Sequence, residues 1–239
     1  MVGKFLVRGM LAGVVAGLLT FGFARWYGEP QVEQAISLET HAEAHGAEHG
    51  HAHEEEELVS RPTQAGIGLL TGVVVFGAAV GGLFALVFAY AYGRVGQLGA
   101  RALSAWLALA AFITLALVPM LKYPANPPSV GMAETIGYRT GLFFLLIAIS
   151  ITTTVFALKM RGTLATRLGS WNASISAAVI YVAIIAVILN VLPPLNEVAT
   201  NFPAVLLWQF RLAALGMQFL LWTTIGLLFG WLVAQRQPG

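Results

Sequence analysis

All five histidines of this 239-residue chain lie within one short stretch, HAEAHGAEHGHAH (41–53). Neutral imidazole is the commonest protein ligand for divalent metals such as Zn²⁺, Ni²⁺, Cu²⁺ and Co²⁺. In a helix, histidines four residues apart lie one turn apart, and in an extended chain alternate histidines share one side. Either conformation brings two or three imidazoles together. The pattern therefore predicts metal binding by His41, His45, His49, His51 and His53.

Glutamates surround these histidines and add both charge and ligands. Nine of the eleven acidic residues lie between positions 29 and 57, where they form a negative field that concentrates cations. Carboxylates can also complete the coordination shell of Co²⁺ or Zn²⁺, and the nearest candidates are Glu39, Glu43 and Glu48. Because glycines disfavour a stable helix here, we expect a mobile loop that orders when metal binds. The alternative is a solvated, low-complexity linker without a ligand.

The rest of the chain is strongly apolar. Hydrophobic residues make up 58% and charged residues 10% of the sequence, against roughly 45–50% and about 25% in a soluble domain. This composition predicts an integral membrane protein whose spans are helical, because lipid cannot satisfy an unpaired backbone. The chain has no cysteine, which excludes disulfides and thiolate metal sites. Its basic residues are too dispersed for nucleic-acid binding.

A helix needs about 20 apolar residues to cross a bilayer, and six segments of the chain meet this requirement. We therefore predict an all-α, polytopic transmembrane helix bundle that forms a single membrane domain over residues 1–239. The predicted spans are about 5–26, 64–92, 102–121, 138–159, 171–192 and 205–233. The residues between the first two spans, 27–63, are predicted to form a His/Glu-rich loop.

Lysines and arginines predict the orientation in the membrane, because they favour the cytoplasmic side. Eight of them fall on the side of the two termini and five on the other side. We therefore expect both termini in the cytoplasm of a bacterial-type inner membrane. The His/Glu-rich loop then lies outside the cytoplasm, together with the segments 122–137 and 193–204.

These last two segments are rich in proline and polar residues. One interpretation is that they fold inward and form the entrance of an ion pathway. Arg211 lies a turn or two into the last span, where a cation normally needs a partner, and Glu197 or Glu134 could serve. The alternative is rigid capping with one structural ion pair. The candidate entrance and pathway residues are Tyr123, Asn126, Glu134, Asn190, Asn196, Glu197 and Arg211.

Glycines recur every fourth residue in the first span, at Gly9, Gly13 and Gly17, and similar pairs occur in the second span. Such spacing lets helix backbones approach closely in lipid. It predicts tight packing inside the bundle, and the alternative is an interface with a partner subunit.

Four stretches carry a family resemblance that extends along nearly the whole chain in matching order: EPQVEQAISLE (29–39), RPTQAGIGLLTG (61–72), VPMLKYPANPP (118–128) with its continuation to Gly141, and LPPLNEVATNFPAVLLWQFRLAALG (192–216). They resemble the CbtA family of cobalt transporter subunits. The resemblance implies a membrane protein of five to six spans that serves cobalt uptake for cobalamin synthesis. It also implies a small single-span partner, CbtB. The histidine run is not part of the resemblance.

Taken together, these features predict membrane transport of a divalent transition-metal ion, with Co²⁺ first and Ni²⁺ or Zn²⁺ as alternatives. We expect no tightly bound cofactor and no enzymatic activity, since no nucleophile–base pair stands out. A second possibility is a non-transporting subunit that presents metal or assembles a membrane complex. Assembly of the chain into a homo-oligomer is a further possibility. No GxxxxGK[ST] stretch for ATP is present in the sequence.

Overall fold

The computed structural model describes residues 2–46, 59–128 and 130–235, and within these ranges every regular element is helical. Five continuous helices are long and apolar enough to cross a membrane: Val2–His41, Arg61–Ala91, Ala100–Lys122, Ile136–Val191 and Ala204–Ala234. Their α-helical parts are α1 (Val2–Phe23), α2 (Glu29–Gly46), α3 (Arg61–Thr63), α4 (Leu69–Ala91), α5 (Ala100–Ala111), α6 (Val118–Lys122), α7 (Ile136–Val191) and α8 (Ala204–Ala234). A 3₁₀ turn, Ala133–Thr135, precedes α7.

Three π-helical turns join these α-helices: Ala24–Gly28, Gln64–Gly68 and Phe112–Leu117. The first and third stand just before a proline. A proline in a helix clashes with the carbonyl four residues earlier. For Pro30 that residue is Trp26, and for Pro119 it is Leu115, so each lies inside a π-helical turn. The wider turn accommodates the proline, and the helix continues without a break.

Residues 29–46 differ from the sequence prediction. The loop predicted over 27–63 is wrong for this part, because α2 continues the first helix as far as Gly46. Alanine, glutamate, glutamine and leucine are good helix formers, and they dominate this stretch. Of the two glycines expected to prevent a helix, Gly46 has a helical backbone and is the last residue described in this range, and Gly50 lies outside the described residues.

Helix α7 is a hairpin. Gly169 has a non-helical conformation at φ 76° and ψ 162°, which divides α7 into the arms 136–168 and 170–191. The Ser150 and Tyr181 hydroxyls lie 3.3 Å apart, although 31 residues of straight helix would separate them by about 46 Å. Near the bend, Arg161 Nε donates a hydrogen bond to Ser174 Oγ at 2.8 Å. The two arms are therefore antiparallel and coincide with the fourth and fifth predicted spans.

The chain divides into two compact units. Unit 1 comprises Met1–Leu109, Asn126–Ser129 and Asn201–Gly239, and unit 2 comprises Ala110–Ala125 and Val130–Thr200. The core of unit 2 consists of buried side chains from α6, its C-terminal flank and both arms of α7. These residues are Val118, Tyr123, Leu142, Leu146 and Ile185.

Unit 1 is centred on the close contact between α1 and α4. A methyl group at Gly9 would overlap the carbonyl oxygen of Gly81, and one at Gly13 would overlap that of Gly77. The two backbones therefore touch, as expected for small residues in a lipid environment. Gly9, Gly13 and Gly17 of the first span therefore pack against α4 around Gly77 and Gly81, which confirms the predicted intramolecular packing for these glycines. A methyl group at Gly72 of the second span would meet nothing within 4 Å, so that glycine takes no part in the contact.

Helix α8 packs beside this pair and runs antiparallel to α1. Phe5 contacts Phe229 at one end, and Phe23 lies against Gly216 at the other. Helix α5 joins α8 where the buried Ser104 hydroxyl donates to the carbonyl of Gly226 at 2.6 Å. The first residues of α8 therefore lie at the end of unit 1 where α2 leaves α1.

Replacing Gly13 with alanine should lower the stability of the protein. The added methyl group would force α1 away from Gly77, and overpacking of this kind typically costs about 1–3 kcal/mol. Gly22→Ala is the matched control, since nothing lies within 4 Å of a methyl group at that position of the same helix. The measurement is the melting temperature of the purified protein in detergent. Equal melting temperatures for both variants would contradict this packing.

Candidate functional site

The first two predicted metal ligands lie on the projecting part of α2. The buried face of this helix includes Glu29, Gln31 and Ala35, and Ala35 is fully buried. Every residue from Ser37 to His41 is exposed. Glu39 and His41 therefore stand on an exposed stretch of a helix whose base is packed in unit 1.

The other predicted ligands are only partly described. Helix α2 places residues 41 and 45 one turn apart along its backbone, as the helical interpretation of the histidine pattern requires. The side chains of Glu43 and His45 lie outside the described part of the chain, as do Glu48, His49, His51 and His53. Within residues 2–46, 59–128 and 130–235, no group of three or more His, Cys, Asp or Glu side chains could hold a metal ion.

A partly buried ion pair lies at the base of α2. Arg61 Nη2 donates to Glu29 Oε2 at 2.5 Å, and this contact ties the start of α3 to the start of α2. Neither residue was among the predicted site residues, since they are 32 positions apart and no local pattern pairs them. The signal that could have found them is that each opens one of the two stretches singled out by the family resemblance.

Arg211 has a partner at the same end of unit 1. Its Nη2 donates to Asn126 Oδ1 at 3.0 Å, across 85 residues of sequence. Arg211 thus has the partner that a cation in a span is expected to need. That partner is the amide of Asn126, which the sequence analysis assigned to the entrance. The predicted carboxylate Glu197 belongs to unit 2, where it pairs with another arginine.

In unit 2, Glu197 links the two proline-rich segments. Its Oε2 lies 3.3 Å from Arg139 Nε and accepts a hydrogen bond from the Met132 backbone N–H at 3.2 Å. Gly131 makes room for this arrangement, because its φ is +111° and a side chain there would collide with the Arg139 guanidinium. Hydrogen bonding by the Thr135 side chain, followed by the Met132 N–H and the charge of Arg139, lowers the pKa of Glu197.

Tyr123 is a core residue. Its ring is buried among Val118, Leu142 and Leu146, and its hydroxyl donates to the Pro193 carbonyl at 3.0 Å. Burial, with Tyr138 nearby, raises the pKa of the Tyr123 hydroxyl above its usual value. Tyr123 thus makes a second link between the proline-rich segments.

The remaining predicted pathway residues are exposed. Glu134 lies in the 3₁₀ turn and Asn196 lies in the segment after α7. The amide of Asn190 donates to the Ala186 carbonyl of its own helix at 2.8 Å. The structure therefore brings together Asn126 with Arg211 and, in unit 2, Glu197 with Arg139, and it places Asn190 on an exposed helix surface.

A family model described as "probable cobalt transporter subunit (CbtA)" matches residues 2–234, nearly the whole chain. The chain belongs to the CbtA family. No curated protein and no solved structure matches it. Membership of CbtA and the five long apolar helices together indicate a multi-pass membrane protein that is a subunit of a cobalt transporter. The description of CbtA names a transport subunit and no enzymatic reaction.

The Glu197 link should make the stability of this CbtA-family chain dependent on pH. A carboxylate whose pKa is lowered by folding stabilises the protein above its unfolded pKa, and this stabilisation disappears as the pH falls through the folded value. Glu197→Gln should therefore lower the melting temperature at pH 7. The melting temperatures of the variant and of the wild type should converge below about pH 4. Glu134→Gln is the control, because Glu134 is an exposed acid of the same region. A constant difference between wild type and Glu197→Gln from pH 7 to pH 3.5 would contradict the role of the charge.

Proposed function

We propose that this CbtA-family chain carries Co²⁺ inward across the membrane and that its His/Glu-rich segment captures the ion first. The observation that carries this proposal is the course of α2. It leaves α1 without a break and is fully exposed from Ser37 to His41. The histidine run begins on this helix with His41, so the first imidazole of the run is exposed on a helix that continues from α1.

Capture follows from the chemistry of this segment. Nine glutamates between positions 29 and 57 attract cations, and neutral imidazoles replace part of the water around an arriving ion. Protons compete with metal for imidazole, so capture weakens below about pH 6. A membrane potential drives a divalent cation inward with about 4.6 kcal/mol per 100 mV, which could supply the energy for uptake.

The proposed topology has six spans, because the two arms of α7 cross the membrane separately. Residues 136–168 and 170–191 are each longer than the roughly 20 residues that a crossing requires. Arg161 and Arg167 lie in the last turns of the first arm, next to the bend at Gly169. Basic residues favour the cytoplasmic side. This arrangement leaves both termini in the cytoplasm of a bacterial-type inner membrane and α2 outside.

Because the chain has no cysteine, single cysteines can test this topology directly. Leu38→Cys, exposed on α2, should react with a membrane-impermeant maleimide in intact cells. Thr166→Cys, exposed near the bend of α7, should react only after the cells are permeabilised, and the cysteine-free chain is the control. Labelling of Leu38→Cys only after permeabilisation would place α2 in the cytoplasm and contradict inward capture.

The subunit description implies a partner, and we propose a single-span, CbtB-like protein in a pathway that supplies cobalamin synthesis. The alternative function is a subunit that presents metal to another pore without transporting it. The tight pairing of α1 with α4 uses the glycine faces that this alternative had assigned to a partner helix. This finding favours transport by the chain itself.

Uptake by the purified chain in liposomes with a negative interior tests both proposals. The chain alone should accumulate Co²⁺, and replacement of all five histidines with alanine should reduce uptake at limiting Co²⁺ while leaving uptake at saturating Co²⁺ intact. The matched control replaces Gln34, Ser37 and Thr40, exposed on the same helix, with alanine. No accumulation without a partner would favour the metal-presenting alternative, and unchanged uptake by the histidine variant would remove the capture role.

A further inference from the structure

The junction between the projecting helix and the packed helices of unit 1 has an unusual polar core. We define the neck by Glu29, Gln31 and Arg61. Glu29 and Gln31 lie on the first turn of α2, Arg61 is the first residue of α3, and π-helical turns lie directly before Glu29 and shortly after Arg61. Such turns occur frequently at functional sites. Any ion that moves along α2 toward the membrane reaches the neck first.

The two charges of the neck differ in their freedom to move. The Glu29 side chain is 8% exposed, whereas the Arg61 side chain is 27% exposed. The carboxylate is therefore held in place by its surroundings, while the guanidinium sits on a long side chain with access to solvent. A competing cation could displace Arg61 into water without moving the backbone that holds Glu29.

The hydrogen bonding of the neck is also incomplete. Gln31 is buried, and its Oε1 has no hydrogen-bond partner. The Nε of Arg61 is buried without a hydrogen-bond partner as well. A buried polar atom without a partner is costly. The neck is therefore not an optimised structural ion pair.

We infer that the Glu29 carboxylate is a transient ligand for the divalent cation on its way from the His/Glu-rich segment, and that Arg61 is a tethered counter-ion. This inference rests on the proposed function. In the absence of metal, Arg61 neutralises the buried carboxylate. An arriving Co²⁺ repels the guanidinium, takes its place at Glu29 and keeps most of its own water. One carboxylate with water binds a divalent ion weakly, which suits a step that must release it.

Glu29 and Gln31 would not chelate the same ion. Residues two apart on a helix point to nearly opposite sides, and these two stand at the opposite edges of the buried face of α2. The ligand class is thus a hydrated divalent cation held by one carboxylate.

The decisive measurement is a Co²⁺ titration of the purified full-length protein, monitored by its melting temperature. All variants carry the five histidine-to-alanine replacements, so that the outer segment does not contribute to the response. Arg61→Gln should shift the midpoint of the Co²⁺ response to lower concentration by about tenfold or more, because it leaves a buried carboxylate without a counter-ion. Glu29→Gln should abolish the response, alone and combined with Arg61→Gln.

Glu33→Gln is the matched control, because Glu33 is an exposed glutamate one turn further along α2, and it should leave the response unchanged. A purely structural ion pair predicts that Glu29→Gln and Arg61→Gln lower the melting temperature without changing the response to Co²⁺, and that result would overturn the inference. Should Arg61→Gln fail to fold, Arg61→Lys gives the same readout with a smaller shift. The titration measures binding alone, so failure of liposome transport would reject the proposed function and not this site.

Discussion

The contact between α1 and α4 is the constraint on which the arrangement of unit 1 depends. Apolar surface alone does not drive helices together in lipid, so close packing of the backbones must do so. Gly9 and Gly13 meet Gly81 and Gly77 at a distance that no side chain could share. Because α1 continues into α2 through a π-helical turn, this contact in the membrane also determines where the helix that bears Glu39 and His41 leaves the packed helices.

The polar contacts of unit 1 concentrate at this same end. Phe23 of α1 lies against Gly216 of α8, so Arg211 and its partner Asn126 lie near the origin of α2, as does the pair of Glu29 and Arg61. At the opposite end the contacts are aromatic, with Phe5, Phe88 and Phe229 packed edge to face. The Glu29–Arg61 ion pair and the Arg211–Asn126 hydrogen bond therefore lie at the end of unit 1 from which α2 leaves.

The apolar pattern predicted the membrane helices closely. The predicted spans 64–92, 102–121 and 205–233 each agree within three residues with an observed helix, because length and hydropathy alone determine which segments can cross lipid. The glycine spacing also predicted the packing of α1, since that signal is local. Helix α2 was missed because the glycines near the histidines were given more weight than the helix-forming residues before them. A glycine lowers the stability of a helix without excluding one, and Gly46 itself is helical.

The site was harder to predict than the fold, because its contacts join distant residues. Glu29 with Arg61 and Asn126 with Arg211 are 32 and 85 positions apart, and no periodicity links them. Tyr123 was assigned to a pathway by its residue type, yet burial makes it a core residue. Polarity near a span indicates that a group needs a partner, but only the fold decides whether that partner is an ion, another side chain or a backbone carbonyl.

Capture and selection of the metal are separate physical tasks. Imidazole and carboxylate ligands follow the usual affinity order and bind Cu²⁺ and Ni²⁺ more tightly than Co²⁺. The proposed His/Glu-rich ligands would therefore gather ions without choosing Co²⁺ among them. Selection needs ligands of fixed geometry. Glu29 is buried at the base of α2 and Glu197 is held by Arg139 and the Met132 N–H, so the surroundings of these two carboxylates fix their positions. A preference for Co²⁺ would therefore arise after capture, where the ion replaces a water ligand with an oxygen of fixed position. A different arrangement of the histidines would then change the amount of metal delivered more than the identity of that metal.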